Sequence, residues 1–298
     1  MRYVLLDVIR IIAICLVLTA HICQIIGSPV GNGFGIRGFY YVTIGGVGVT
    51  VFLVLSGVAL ELKYGGKMFT YFSFELRRFL RIYPVYYMSL IVGVVIYLHR
   101  IHRESAHFLT ALSRFGAMDI ILSLTGFYAF AGKWGGPFVS TSWYLGPIVT
   151  MYLVYPLLSK MIRRMPRAAI ILLFFVSALS RIILGKYGIL PTRPLDWFPL
   201  CRIFEFSLGI YLVVVLSGDI WSVLNFINSK TAGIIRFMSE ISFPLFLIHW
   251  PLEGIINFLI RRGVNQIIAI LIFIAASVVS SWALLCVGRL IPRYRLES

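Results

Sequence analysis

Unbroken apolar stretches about 20 residues long, recurring along nearly the whole chain, constrain this sequence more than any other feature. A stretch of that length crosses the ~30 Å hydrocarbon core of a bilayer as a helix. Lipid offers no partner for backbone N–H and C=O groups, so spanning segments must be helices or closed barrels. Such stretches cover residues 5–27, 42–62, 83–99, 142–160, 168–184, 198–217, 240–260 and 265–291. Segments 118–131 and 219–237 are shorter or less apolar and read equally as spans, re-entrant pieces or interfacial helices. The expected fold is all-α: a polytopic transmembrane bundle of about ten helices, with eight to ten crossings, forming one integral domain over residues 1–298. Composition agrees, since 60% of the residues are hydrophobic and 13% charged, against roughly 45–50% and 25% in soluble domains.

The net charge of +16 comes from 27 Lys and Arg against 11 Asp and Glu. In a multi-pass protein such an excess marks cytoplasmic connections; a nucleic-acid partner, which needs a soluble basic surface, is not expected. Lys63, Lys67, Arg77, Arg78 and Arg81 face a single Glu75 in segment 63–81, which places that segment in the cytoplasm. With an even number of crossings both termini join it, in a cell-membrane protein. The cluster Lys160, Arg163, Arg164 and Arg167 falls on the same side only if 118–131 does not cross. Cys15, Cys23, Cys201 and Cys286 lie in or beside apolar segments without a CxxC pair, and read as small buried hydrophobes. His99, His102 and His107 share a polar loop without metal-site spacing; no metal is expected. The N-terminal stretch reads as a retained first span, because Asp7 and Arg10 interrupt it and no small-residue cleavage site follows.

That first span carries the chemistry. Ionisable groups within a membrane helix are costly and mark functional sites. At 100° per residue Arg10 and His21 differ by only about 20° in azimuth, with Asp7 within about 60° of both. The three share one face, turned into the bundle, with Arg10 and His21 about 16 Å apart along the axis. Arg10 belongs near the cytoplasmic mouth and His21 near mid-membrane. Asp7 and Arg10 at i,i+3 can pair. The bland alternative makes Arg10 a snorkelling flank and His21 a hydrogen-bonded core histidine. In the second span the glycines Gly45, Gly46, Gly48 and Gly57 either let helices approach closely or thin the surface for a ligand. Arg78 and Arg81 at i,i+3 point the same way and can grip a phosphate, or simply anchor the chain. Trp143, Tyr152 and His249 place further polar groups within apolar segments, where Tyr152 could be an interface aromatic and His249 a packing histidine.

In order, these segments resemble the acyltransferase-3 family of integral membrane acyltransferases. Leu6, Asp7 and Arg10 match its Leu-Asp-x-x-Arg opening, and Arg10 to His21 its Arg-x10-His pattern. Gly48-Val49 to Ser56-Gly57 resembles its Gly-Val-x-x-Phe-x-x-Ser-Gly block. Arg78, Arg81 and Pro84 match its RxxR-then-Pro, and Trp143, Leu145, Tyr152 and Pro156 its Trp-x-Leu…Tyr…Pro. Arg202, Phe206 and Gly209 resemble its later Arg…Phe…Gly element, and the run from Ser242 to Pro251 its late Ser-Tyr-x-Leu-Tyr-Leu-x-His-x-Pro. Where many members carry an acidic residue after the Trp-x-Leu block, Ile148 and Val149 stand here.

The resemblance implies transfer of an acyl group, usually acetyl, from a cytoplasmic acyl-CoA donor to a hydroxyl of a carbohydrate or envelope glycan. It implies His21 and Asp7 as catalytic residues, with His21 as general base or transient acyl carrier. Arg10, Arg78, Arg81 and Ser56 are then expected to hold acetyl-CoA, and Tyr152, Trp143 and His249 the acceptor. The chief alternative is a membrane transporter of an anionic metabolite or lipid-linked sugar, using the Asp7/Arg10/His21 line as its path. Transporters often carry internal repeats, and none is visible here. A non-catalytic scaffold would have no reason to bury those three groups.

Overall fold

Helix α1 (Val4–Ile25) is followed by a short hairpin of β1 (Phe34–Ile36) and β2 (Tyr40–Val42), antiparallel with Phe34 opposite Val42. Thr43 then caps α2 (Ile44–Tyr64), its hydroxyl accepting from the Gly46 N–H at 2.9 Å and so satisfying one of the unpaired N–H groups at a helix start. Next come α3 (Tyr71–Glu104), α4 (Ala117–Thr125), α5 (Leu145–Arg164), α6 (Pro166–Tyr187), α7 (Ile203–Val215), α8 (Ser229–Leu252), α9 (Gly254–Arg261) and α10 (Gln266–Leu290). This computed structural model describes residues 3–31, 33–36, 40–104, 116–131, 135–187, 197–216 and 229–290.

Among the described residues seven helices are long and apolar enough to cross a membrane. The chain is an all-α polytopic bundle. The stretch expected at 198–217 contains the thirteen-residue α7, preceded by a 3₁₀ turn at Pro199–Arg202. At 1.5 Å per residue α7 alone rises about 20 Å, less than a bilayer core, and the turn adds about 8 Å.

Side-chain contacts fix the directions. Glycines of α2 meet α1 in reverse order: a Cβ on Gly48 would lie 2.5 Å from the Ala13 carbonyl, and one on Gly45 3.0 Å from the Ala20 methyl. Gly57 packs against α7, where a Cβ would fall 2.1 Å from the Phe206 carbonyl. The glycine stripe therefore serves close helix approach. Ser239 beside Asp7 and Trp250 beside His21 make α8 parallel to α1, and Arg289 of α10 returns to pair with Glu240. The ends of α2 and α5 and the start of α3 gather at one end, where Glu61 bonds Arg163 and Arg78 reaches Tyr64. We call this the basic end. The other, far end holds the hairpin and the start of α5.

Several boundaries differ from the sequence expectation. The third span begins at Tyr71, so Arg77, Arg78 and Arg81 lie inside a 34-residue helix, with Pro84 also internal. The α-helix in this region, α4, has only nine residues, about 14 Å, and cannot cross. Its end is tied down instead: Tyr83 and Tyr86 of α3 donate to the carbonyls of Thr125 and Ser123, and Gly126 closes it at φ 76°. The chain consequently returns through α5 to the basic end, and Arg163 and Arg164 join the 63–81 segment there. Segment 240–260 is broken at Glu253 between α8 and α9. Residues 229–237 begin α8, while 217–228 lie outside the described residues, as do His107, Arg293 and Arg295.

Two buried cores flank the polar centre. One joins α1, α2, α3, α5 and α8 through Ile14, Val17, Leu53, Tyr86, Leu145 and Leu247. The other joins α2, α3, α5 and α7 through Leu60, Phe74, Tyr155, Phe206 and Ile210. Large apolar side chains such as Leu172 and Phe175 on α6 and Leu271 on α10 point outward, where a bilayer would cover them.

Candidate active site

All three ionisable residues of α1 meet α8. Asp7 is buried and accepts a 2.6 Å bond from the Ser239 hydroxyl. Arg10 donates to the same hydroxyl at 3.0 Å and lies 3.5 Å from the Asp7 carboxylate. One serine of α8 thus joins a salt-bridged pair on α1, offsetting the cost of burying either charge.

Three turns further on, His21 packs against the late turns of α8. Its ring lies 5.1 Å from that of His249 and edge-on to Trp250 at 4.7 Å. His249 is 1% exposed, and its Nδ1 sits 2.9 Å from the Leu245 carbonyl one turn back. Nδ1 there donates, so Nε2 carries the lone pair. Neither that Nε2 nor Nδ1 of His21 has a hydrogen-bond partner among the described residues, although both atoms are buried. A buried polar atom without a partner is rare and costly in a folded protein. Since α1 ends at Ile25, His21 lies about one turn from its far end and not at mid-span.

A second set of groups approaches from the other side. Arg78 is buried with its guanidinium 5.7 Å from the Tyr64 and Phe74 ring centres and 6.0 Å from that of Tyr152, in contact with the Tyr64 hydroxyl at 3.4 Å. Ring faces and the nearby Glu75 carboxylate offset its burial, and its Nε has no hydrogen-bond partner among the described residues. Arg81, one turn on, is exposed. The two arginines sit on one helix but in different surroundings. Tyr152 neighbours Tyr144, whose hydroxyl interacts with the Ser56 side chain and lies within electrostatic range of Arg202 and Arg10. Ser56 itself donates to the Phe52 carbonyl at 2.8 Å. Trp143 is half-buried at the start of α5, 6.2 Å from the Trp197 ring. The arrangement links Arg78, Tyr152, Tyr144 and Ser56 to Arg10, while Trp143 stands at the far end.

Sequence reasoning passed over four participants. Ser239 gave no signal beyond being a serine in an apolar run. Tyr144 stood between the two residues of the Trp-x-Leu pattern. Arg181 and Arg202 both bond one oxygen of Glu205, at 3.3 and 2.9 Å, while its other oxygen is buried without a partner among the described residues. Arg202 also donates to Thr50 of α2 at 3.1 Å. Arg202 was already matched to the Arg…Phe…Gly element, whereas Arg181 and Glu205, two ionisable residues in apolar segments, were a readable warning.

Comparison with known proteins bears on what this geometry is for. The Acyl_transf_3 family model, an acyltransferase domain, matches residues 3–216, which takes in α1 through α7. Acyltransferase MdmB of Streptomyces mycarofaciens is 27% identical over 197 residues, an alignment that covers 60% of this chain and 49% of that protein. The chain thus spans about half the length of that relative. No solved structure matches.

Proposed function

The chain belongs to the Acyl_transf_3 family of acyltransferases, and from that premise we propose that it moves an acyl group, acetyl in the simplest case, from a cytoplasmic acyl-CoA to a hydroxyl of a carbohydrate or envelope glycan. The observation that carries this reading is the contact between half-buried His21 and buried His249, each with one buried ring nitrogen unpartnered among the described residues, His21 lying on the α1 face that also carries Asp7 and Arg10.

In this reading the basic end faces the cytoplasm, both termini with it. Arg10, Arg78 and Arg81 hold the phosphates of the donor through charge-assisted bonds, with Ser56 beside them. Asp7 and Ser239 fix the Arg10 guanidinium. His21 takes the proton of the acceptor hydroxyl as its oxygen attacks the thioester carbonyl. The C–S bond breaks, and the thiolate leaves with the proton that His21 has received. His249, its Nδ1 occupied by a carbonyl, presents Nε2 toward this region and with Tyr152 and Trp143 contacts the acceptor. A relay is the other route: the His21 nitrogen takes the acyl group first and the hydroxyl attacks second. The two are separated by acid quenching with labelled donor and no acceptor, which traps label on the protein only in the relay.

The test is acetyl transfer from labelled acetyl-CoA to cell-envelope extract by purified protein, with His21→Ala beside wild type. Transfer is expected to vanish in a variant that still inserts and melts normally. Undiminished transfer by such a variant overturns the assignment of His21.

A further inference from the structure

At the basic end, α2, the turn that follows it and α5 enclose a cleft of about 490 Å³ that no step above uses. Its cations come from both sides: Lys67 from the turn, and Lys160, Arg163 and Arg164 from the end of α5. Among the described residues no carboxylate lines it. Glu61 lies beneath, 2% exposed and already accepting from Tyr155 at 2.9 Å, Ser159 at 2.8 Å and Arg163 at 2.5 Å. It offsets the charge of Arg163, while Lys67, Lys160 and Arg164 add three further positive charges to the lining. Charges crowded in this way favour an anion between them.

Arg163 is also held in place. Its guanidinium lies over Gly65 and Gly66, where a Cβ on Gly65 would fall 2.3 Å from Nη2, and Gly66 turns the chain at φ 70°. A guanidinium fixed beforehand loses little entropy on binding and suits the oxygens of a phosphate. The floor is of another kind. Tyr64, Phe69 and Tyr155 line it, with Phe69 5.3 Å from the Tyr64 ring and stacked on Tyr155 at 6.5 Å. A bare phosphate would leave that aromatic floor uncovered, and a volume of this order suits a larger molecule.

We propose that this cleft is a phosphate-ester site: it takes the phosphorylated end of an amphipathic molecule whose apolar or aromatic part lies on Tyr64, Phe69 and Tyr155. Two sources supply that chemistry, an anionic phospholipid of the surrounding membrane and the nucleotide end of an acyl-CoA. The proposal does not depend on the acyl-transfer step, because binding is read without turnover.

The experiment uses the full chain in phosphatidylcholine nanodiscs. In one arm coenzyme A is titrated against pantetheine, which lacks the phosphates. In the other, retention of phosphatidylglycerol over phosphatidylcholine is measured by native mass spectrometry. Each arm is repeated with Lys160→Glu/Arg164→Glu, whose side chains are exposed, and with Lys67→Glu on the facing rim in case the double variant misfolds. At least one phosphate-bearing probe is expected to bind wild type in preference to its control, and to lose about tenfold or more in affinity in the variants, as removal of charge-assisted contacts requires. The arm in which this happens names the source. No preference in either arm, or equal affinity in folded variants, overturns the cleft as a site. His21-dependent transfer can stand or fall separately from either result.

Discussion

The polar clusters around Glu61 and around His21 are finished to different degrees. Around Glu61 every demand is met: three donors from α5, spaced i, i+4 and i+8 as Tyr155, Ser159 and Arg163, converge on one carboxylate. Around His21 the demands are left open, with one buried nitrogen on each of two histidines unpaired among the described residues. Burying a group without a partner costs of the order of 1–3 kcal/mol, and a fold with no use for the vacancy could avoid that with apolar residues. The comparison separates two kinds of buried polar group: one whose partners the fold supplies in full, and one to which the fold supplies only some. Glu205 is intermediate, with one oxygen shared by two arginines and the other unpartnered among the described residues.

Exchanging damage between the clusters would break this contrast. His21→Ala should lower transfer by about 10²–10⁴-fold, the range for loss of a general acid–base group, with the melting temperature in detergent nearly unchanged. Glu61→Ala should do the converse. Removing the carboxylate leaves the buried Tyr155 and Ser159 hydroxyls without this acceptor, at about 1–3 kcal/mol for an unsatisfied buried group, read as a fall in unfolding midpoint, while transfer per folded molecule persists. A stable Glu61→Ala protein, or a His21→Ala protein that unfolds, would erase the distinction. Next in size is Arg78→Ala. If that guanidinium meets the donor, the apparent KM for acetyl-CoA should rise about tenfold or more with little change in kcat; an unchanged KM would class Arg78 with Glu61, as a group satisfied by its aromatic neighbours.

How much of this was readable beforehand depended on range. Hydropathy and helical azimuth act within one element, and they placed the long spans and put Asp7, Arg10 and His21 on one face of α1. The partner of that face did not follow from them. Ser239 and Trp250 are more than two hundred residues away from α1 and carry no mark of their own. Element ends were missed where they depended on neighbours: α4 is stopped by tyrosines of α3, and Tyr71 to Arg81 reads as a polar connection yet continues a helix whose arginines lean on rings. Glu61 was overlooked because it stands alone in an apolar run, and its three donors become visible only when α5 is laid alongside.

The smallest expected effect is the most discriminating. Ser239→Ala removes one hydroxyl that donates to Asp7 and accepts from Arg10. The acid–base pair itself remains, at 3.5 Å, so the loss of stability should be about 1 kcal/mol, the net value of a typical hydrogen bond. What it frees is the direction of the Arg10 guanidinium. If Arg10 only anchors α1 to α8, that freedom is harmless, and transfer kinetics should match wild type once corrected for folded protein. If Arg10 holds the donor so that its thioester reaches His21, a loosened guanidinium should raise the KM for acetyl-CoA several-fold while the kcat set at His21 is kept. Ser239→Thr, which restores the hydroxyl, should return KM toward the wild-type value. A rise in KM that threonine does not reverse would trace the effect to packing between the two helices, and Arg10 would then belong with the completed cluster around Glu61.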